Sequence, residues 1–160
     1  MNYKKNRLQE IIASAVGETF EEMAFLEVCQ VEDPDELMDE ESLLRASLLV
    51  HDPFPGELCL VAPRSLMADV AMGLFSLEKE NIDDLTLFDL LAELLNTIAG
   101  KIMNQITPQD ATFRLGLPET GVESLADAGA QTVEFYFDGD EKVFSVAASG
   151  DAFIAQAEFC

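Results

Sequence analysis

The sequence has few of the residues on which common catalytic sites depend. It contains one histidine, His51, so a Ser-His-Asp, Cys-His or histidine-rich zinc site would have to be built around that residue alone. His51 lies beside a Pro-rich turn, and we interpret it as structural. No glycine-rich phosphate loop of the GxxxxGKS/T or GxGxxG kind is present. The sequence therefore gives no support to nucleotide-dependent chemistry, and we expect no metal site and no cofactor of the protein's own.

Cysteines and long apolar runs are also scarce. The three cysteines, Cys29, Cys59 and Cys160, are odd in number and widely spaced, which favours neither a disulfide framework nor a CxxC site. Glu10 and Glu18 interrupt the apolar residues near the N-terminus, so no signal-peptide core is visible. No run approaches the roughly 20 apolar residues of a membrane-spanning helix. These features predict a cytoplasmic protein with reduced cysteines and no membrane partner.

Basic residues are few. Nine Lys and Arg stand against thirty-one Asp and Glu, which gives a formal net charge of −22. Phosphates of nucleic acids and anionic lipid headgroups would repel such a chain, so we expect neither as a partner. The acidity is equally compatible with a solubility device or an adaptation to high salt. With 160 residues, 49% of them hydrophobic, the chain is predicted to form one domain over 1–160.

The order of predicted elements favours an α+β fold. A charge-dense loop over 32–41 and a turn over 138–141 punctuate the chain. The predicted elements are a helix over 8–24, a strand within 25–31, a hairpin of 44–50 and 57–62, a helix after Pro63, a helix from Asp83 or Asp84 to Asn104, and strands over 112–117, 131–138 and 142–148. Strands and helices do not alternate regularly, so we expect a single layer of helices packed on a largely antiparallel sheet.

The helix that ends near Asn104 carries the most information. At about 100° per residue its leucines and isoleucines share one side, whereas Asp89, Glu93, Asn96 and Gly100 fall within an arc of about 60° on the other. Every surface helix needs a polar face, so a merely solvated face is one explanation.

Two residues of this face argue for a further role. Asn96 is a poorer helix former than Glu, Lys or Gln, and a glycine such as Gly100 costs about 1 kcal/mol relative to alanine inside a helix. Gly100 would let another backbone approach closely, either from a binding partner or from a crossing helix. We therefore consider Asp89, Glu93, Asn96 and Gly100 a candidate docking face.

The spacing Asp89-x3-Glu93-x2-Asn96, followed at a distance by Pro118, resembles the Asp/Ser-x3-Glu-x2-Asn…Pro signature of the CheC, CheX and FliY phosphatases. The order of predicted elements also resembles a CheX-like chain over most of the 160 residues. The resemblance implies a chemotaxis phosphatase that hydrolyses the phosphoaspartate of a CheY-like response regulator. The response regulator would supply the phosphoryl group and its Mg²⁺.

The resemblance also implies a role for each motif residue. Asn96 would position the attacking water, since an amide both donates and accepts hydrogen bonds. Glu93 would bind a lysine of the partner. Asp89 and Gly100 would shape the docking face, and Pro118 would shape the rim beside it. Pro118 lies about one residue closer to Asn96 than in the family signature.

A weaker echo of the motif occurs in the first helix as Ser14-x3-Glu18-x2-Glu21. CheC-type proteins resemble two copies of a helix-plus-strands unit, and Glu21 cannot supply the donor of an amide. One site per chain is implied, which is CheX-like. The CheX resemblance further implies a homodimer, with a sheet shared between two copies as one way to form it. A non-catalytic module that binds response regulators or flagellar-switch components is the alternative, and a third is an acidic dimeric domain whose motif helix is ordinary surface.

Overall fold

The computed structural model describes residues 3–32, 42–122 and 132–159. Four α-helices are present in these ranges: α1 (Tyr3–Ala24), α2 (Arg64–Phe75), α3 (Asp84–Ile106) and α4 (Asp151–Phe159). A 3-10 turn at Lys79–Asn81 precedes α3. The strands are β1 (Val28–Val31), β2 (Leu43–Asp52), β3 (Gly56–Pro63), β4 (Arg114–Leu115), β5 (Glu119–Val122), β6 (Val133–Gly139) and β7 (Lys142–Ser149).

The seven strands of the described ranges form one antiparallel sheet in the order β1-β6-β7-β3-β2, with both β4 and β5 paired to the outer side of β2. The side chains of a strand alternate between the two faces of a sheet. In β2 the alternate residues Leu44, Ala46, Leu48 and Val50 are buried in one core with residues of all four helices. The helices therefore form a single layer on one face of the sheet, as predicted.

An aromatic stack ties the first helix to the centre of the sheet. The ring centroid of Phe20 in α1 lies 4.6 Å from that of Phe144 in β7. Phe144 in turn lies 5.5 Å from Phe137 in β6. All three rings are fully or almost fully buried, so they contribute both apolar area and specific packing.

The topology contains the internal helix-plus-strands repeat that the CheC-type resemblance implies. The unit α1, β1, hairpin β2–β3 and α2 is followed by a second unit of α3, β5, hairpin β6–β7 and α4. The two units meet where β3 pairs with β7, and each edge strand pairs with the hairpin of the other unit: β1 with β6, and β5 with β2. A two-fold rotation at the β3–β7 pair would exchange the halves, which makes α1 and α3 equivalent.

The structure corrects some boundaries. The strand predicted over 112–117 is reduced to Arg114–Leu115, and β5 was not predicted as a separate strand. The helix α4 was missed because Phe153 and Ala157 are the only buried residues among its described side chains, too few to show helical periodicity in the sequence. The predicted loop at 32–41 lies outside the described residues from 33 onward, as do residue 131 of the predicted strand and Cys160.

Candidate functional site

The long helix α3 is fixed at its start by two side chains. Asp83 is the N-cap, and its carboxylate accepts hydrogen bonds from Thr86 N at 2.9 Å and Thr86 Oγ1 at 2.6 Å. These bonds, the hydroxyl bond foremost, lower the pKa of Asp83 below its ordinary value of 3.8. In the next position Asp84 accepts hydrogen bonds from Arg64 of α2 at 2.6 Å and 3.2 Å. The first turn of α3 is therefore held from both sides.

The two predicted faces of α3 are observed. Its buried residues, all apolar, pack on the sheet and neighbouring helices: Leu87, Leu90, Leu91, Leu94, Leu95, Ile98, Ala99, Ile102, Met103 and Ile106. The opposite side carries Asp89, Glu93 and Asn96, all three of which are exposed. The burial of one side of α3 thus fixes the direction in which these polar groups point.

Glu93 and Asn96 stand one turn apart on the surface. A rise of about 1.5 Å per residue separates them by about 4.5 Å along the helix axis, with Asp89 about 6 Å before Glu93. Within the part of the chain that the structure describes, no side chain forms a hydrogen bond or ion pair with any of the three. Their polar atoms are available to an external partner.

Gly100 lies one turn beyond Asn96. A Cβ atom built on it would meet none of the described residues within 4 Å. Within this part of the chain the glycine is therefore not required for a helix crossing, which was one of the two explanations for it. Because Gly100 has no side chain, a partner backbone could approach the helix closely beside Asn96.

Pro118 lies between β4 and β5, directly before β5, and is half-buried. The sequence had placed it at the end of a strand. The strand is interrupted instead: Gly116 N still donates to Leu49 O of β2 at 2.7 Å, but Pro118 has no N–H with which to continue the ladder. Since β5 contacts α3, Pro118 stands at the head of the strand beside the motif helix.

Structural comparison gives similarities that sequence comparison does not, since no family model and no curated protein matches the sequence. The chemotaxis protein CheX of Vibrio vulnificus is similar with a TM-score of 0.70 at 12% identity, over 89% of this chain and 97% of that one. The chain has the CheC/CheX fold. A CheX-CheY-BeF3-Mg²⁺ complex from Borrelia burgdorferi gives a TM-score of 0.67 at 14% identity, covering 88% and 95% of the two chains. The FliM middle domain of H. pylori gives 0.59 at 13% identity, covering 96% and 95%.

The first helix of this CheX-like fold carries the echo of the motif, and its middle residue is already engaged. By its spacing Glu18 corresponds to Glu93 in the echo of the motif. Lys101 Nζ of α3 donates to Glu18 Oε2 at 3.4 Å and to Glu22 Oε2 at 3.1 Å. The hydrogen bond to Glu22 is the main reason that the pKa of Lys101 is raised. The carboxylate of Glu18 is thus already paired with a lysine of the same chain.

Sequence reasoning missed Lys101. It is the only basic residue of α3, which is a visible signal, but its acceptors lie about eighty residues earlier in the chain. Only the packing of α1 against α3 brings them together.

A concave region of the surface contains His51 but lacks the geometry of a catalytic triad. A groove of about 430 Å³ is lined in part by Leu49, His51, Glu57 and Ser149. None of the hydrogen bonds in the described ranges connects His51 with Glu57 or Ser149. Nucleophile and base are therefore not coupled there.

The described residues contain no group of three or more His, Cys, Asp or Glu side chains that could hold a metal ion. They also contain no helix whose length and apolar character would let it cross a membrane.

Proposed function

We propose that this protein is a phosphatase that hydrolyses the phosphoaspartate of a CheY-like response regulator. The proposal is supported most by one observation: Glu93 and Asn96 are exposed one turn apart on one helix of a CheX-like fold, with no partner inside the described chain. One of the similar structures is a CheX-CheY complex, which suggests the class of partner.

The proposed chemistry is hydrolysis of an acyl phosphate. A water attacks phosphorus, the bond between phosphorus and the aspartate oxygen breaks, the aspartate carboxylate of the response regulator is restored, and inorganic phosphate is released. The oxygen of the Asn96 amide accepts a hydrogen bond from the attacking water, while the NH₂ group of the amide donates one to the partner's active site. The amide thereby holds the water in line with the leaving oxygen. The response regulator supplies its own Mg²⁺, so this chain contributes mainly position.

Glu93 and its neighbours are proposed to dock the partner. Glu93 accepts a charge-assisted hydrogen bond from a lysine of the response regulator, which draws that lysine away from the phosphoryl group. Asp89 and Gly100 extend the same surface by one turn in each direction, and Pro118 shapes the adjacent rim. One site per chain follows, because Glu21 has no amide and Glu18 is bound to Lys101.

The alternative is a non-catalytic module that binds response regulators or flagellar-switch components. The similarity to the FliM middle domain favours it, since the same fold is used there. It requires the exposed face of α3 for binding but assigns no special role to the Asn96 amide.

A phosphate-release assay separates the two functions. The protein is added at substoichiometric amounts to phosphorylated CheY-like response regulators, and inorganic phosphate is measured with time. The phosphatase proposal predicts faster release with many turnovers per chain. Binding detected by titration without faster release would support the alternative instead.

We also propose that residues 1–160 act as one cytoplasmic phosphatase domain and that the chain forms a homodimer. Two short edge strands, β1 and β5, each leave one side unpaired among the described strands, so a sheet shared by two copies is sterically reasonable. Analytical ultracentrifugation of the purified protein tests this, and a monomer at micromolar concentration would contradict it.

A further inference from the structure

Leu85 is an exposed leucine in the first turn of α3, and its side chain is 67% exposed. Every other exposed residue of this fully described helix is polar or charged. Among the described residues, the other large exposed apolar side chains lie on other elements or loops: Phe25, Leu49, Phe75, Leu117 and Val122. Leu85 is therefore the one large apolar group that α3 presents to solvent.

The position of Leu85 on the helix is specific. Eleven residues are three turns, so Leu85 and Asn96 point in directions within about 20° of each other. Leu85 is also one turn before Asp89. The spacing of Leu85, Asp89, Glu93 or Asn96, and Gly100 is that of a single stripe along the helix, which is how one helix face engages one partner.

The exposure of Leu85 is not the result of a frayed helix end. The residue on either side is tied down, since Asp84 is paired with Arg64 and Thr86 is bonded to Asp83. The side chain is thus presented on an ordered backbone. Binding of a partner over Leu85 therefore costs little conformational entropy of this helix.

An apolar contact answers a difficulty in the charge balance. The chain carries −22, its stripe includes Asp89 and Glu93, and the phosphoryl site of a receiver domain is itself acidic. Long-range attraction is then weak, and affinity must come from short-range contacts that charge does not weaken. Burying a leucine is such a contact, because its free energy depends on the apolar area removed from water.

We infer that Leu85 is the apolar anchor of the docking face and a determinant of which response regulator is bound. The inference rests on the proposed function and adds a feature to the partner. Its receiver domain has an apolar patch about 16 Å from the phosphoryl group, measured along the direction of α3. Receiver domains with a charged surface at that distance are poor substrates.

Steady-state kinetics of Leu85→Ala and of Leu85→Asp test this inference on a phosphorylated CheY-like receiver. We expect the KM of Leu85→Ala to rise by about tenfold and that of Leu85→Asp by more, with kcat nearly unchanged, since the lost contact is remote from the phosphoryl group. The KM ratio between Leu85→Ala and wild type should be the same at low and high salt. The matched control is Leu49→Ala, which removes a half-exposed leucine from the sheet face away from the helices and should leave KM unchanged.

The outcomes separate this inference from the proposed function. Unchanged KM values in both Leu85 variants, with the wild type active, would overturn the role of Leu85 alone. If the wild type binds the receiver in complex with beryllofluoride and Mg²⁺ but releases no phosphate from the phosphorylated receiver, the phosphatase function fails. A weaker affinity of Leu85→Ala for that complex would still support the anchor. If the wild type does not bind that receiver at all, both proposals fail.

Discussion

At the scale of single residues, Gly100 is where stability and binding should respond in opposite directions. A Cβ there meets no neighbour within 4 Å, so alanine fits without strain. We expect Gly100→Ala to raise the free energy of unfolding by up to about 1 kcal/mol in urea denaturation, because alanine is the better helix former. The same change should raise the KM for the phosphorylated response regulator by adding a methyl group to the docking face.

Gly17 in α1 provides the control for this prediction. It too is inside a helix with nothing within 4 Å of a built Cβ. Gly17→Ala should stabilise the protein to a similar extent without changing KM. An equal KM effect in both variants would argue against a docking role for Gly100.

Glu93 should contribute to binding of the partner through its charge. We expect Glu93→Gln to raise KM about tenfold, since a charge-assisted hydrogen bond to a partner lysine becomes a weaker neutral one. The measurement is phosphate release against substrate concentration. Glu21→Gln on α1 changes the net charge of the chain equally and should leave KM near that of the wild type, so a matching rise in that variant would attribute the effect to overall charge.

The sequence predicted which residues α3 presents but not all of their surroundings. Helical periodicity places Asp89, Glu93 and Asn96 opposite the leucines, and the structure leaves all three exposed. Helical periodicity could not reveal that Gly100 has open space around it among the described residues, or that Lys101 reaches two glutamates of α1. Those facts depend on how distant segments pack, which local periodicity does not encode.

At the scale of secondary-structure elements, the orientation of α3 depends on its first turn. Because hydrogen bonds from Thr86 lower the folded-state pKa of Asp83, the ionised carboxylate stabilises the protein fully above its ordinary pKa, near pH 4. This stabilisation is lost as the pH falls through the lower, folded-state pKa. Asp83→Ala should therefore lower Tm at pH 7, and the difference from wild type should narrow below about pH 4.

Calorimetry of both proteins between about pH 7 and pH 2 measures this difference. Asp83→Asn retains an oxygen acceptor but not the charge, so its Tm at pH 7 should lie between those of the wild type and Asp83→Ala. A Tm difference between wild type and Asp83→Ala that stays constant down to pH 2 would show that the carboxylate charge is not what stabilises the helix start.

The elements differ in how visible they are in the sequence. The long helices α1 and α3 have several turns of apolar periodicity, and both were predicted, although α1 begins five residues earlier than expected. The short strand β5 and the short helix α4 were not, because four and nine residues give too few repeats of either period. The strand β5 depends on pairing with β2, and the helix α4 depends on burial of its Phe153. Both are tertiary interactions.

At the scale of the whole molecule, the net charge of −22 should control association with an acidic partner. Between about 0.01 M and 0.15 M ionic strength the Debye length falls from about 30 Å to about 8 Å. We expect KM for the phosphorylated response regulator to fall several-fold over this range, because long-range repulsion is screened. A KM that does not change with salt would show that repulsion does not limit binding, and one that rises would show that attractive pairs at the interface dominate.

The central claim is that the amide of Asn96 positions the attacking water, and single-turnover dephosphorylation tests it most directly. A saturating amount of protein is mixed with a phosphorylated CheY-like response regulator, and loss of the phosphoryl group is followed for wild type, Asn96→Ala and Asn104→Ala. Asn104 is an exposed asparagine two turns further along the same helix, so its variant controls for removal of an amide from α3. We predict that Asn96→Ala loses at least about a hundredfold in rate while binding and far-UV circular dichroism are retained, and that Asn104→Ala keeps the wild-type rate. A rate for Asn96→Ala equal to that of wild type would contradict the account.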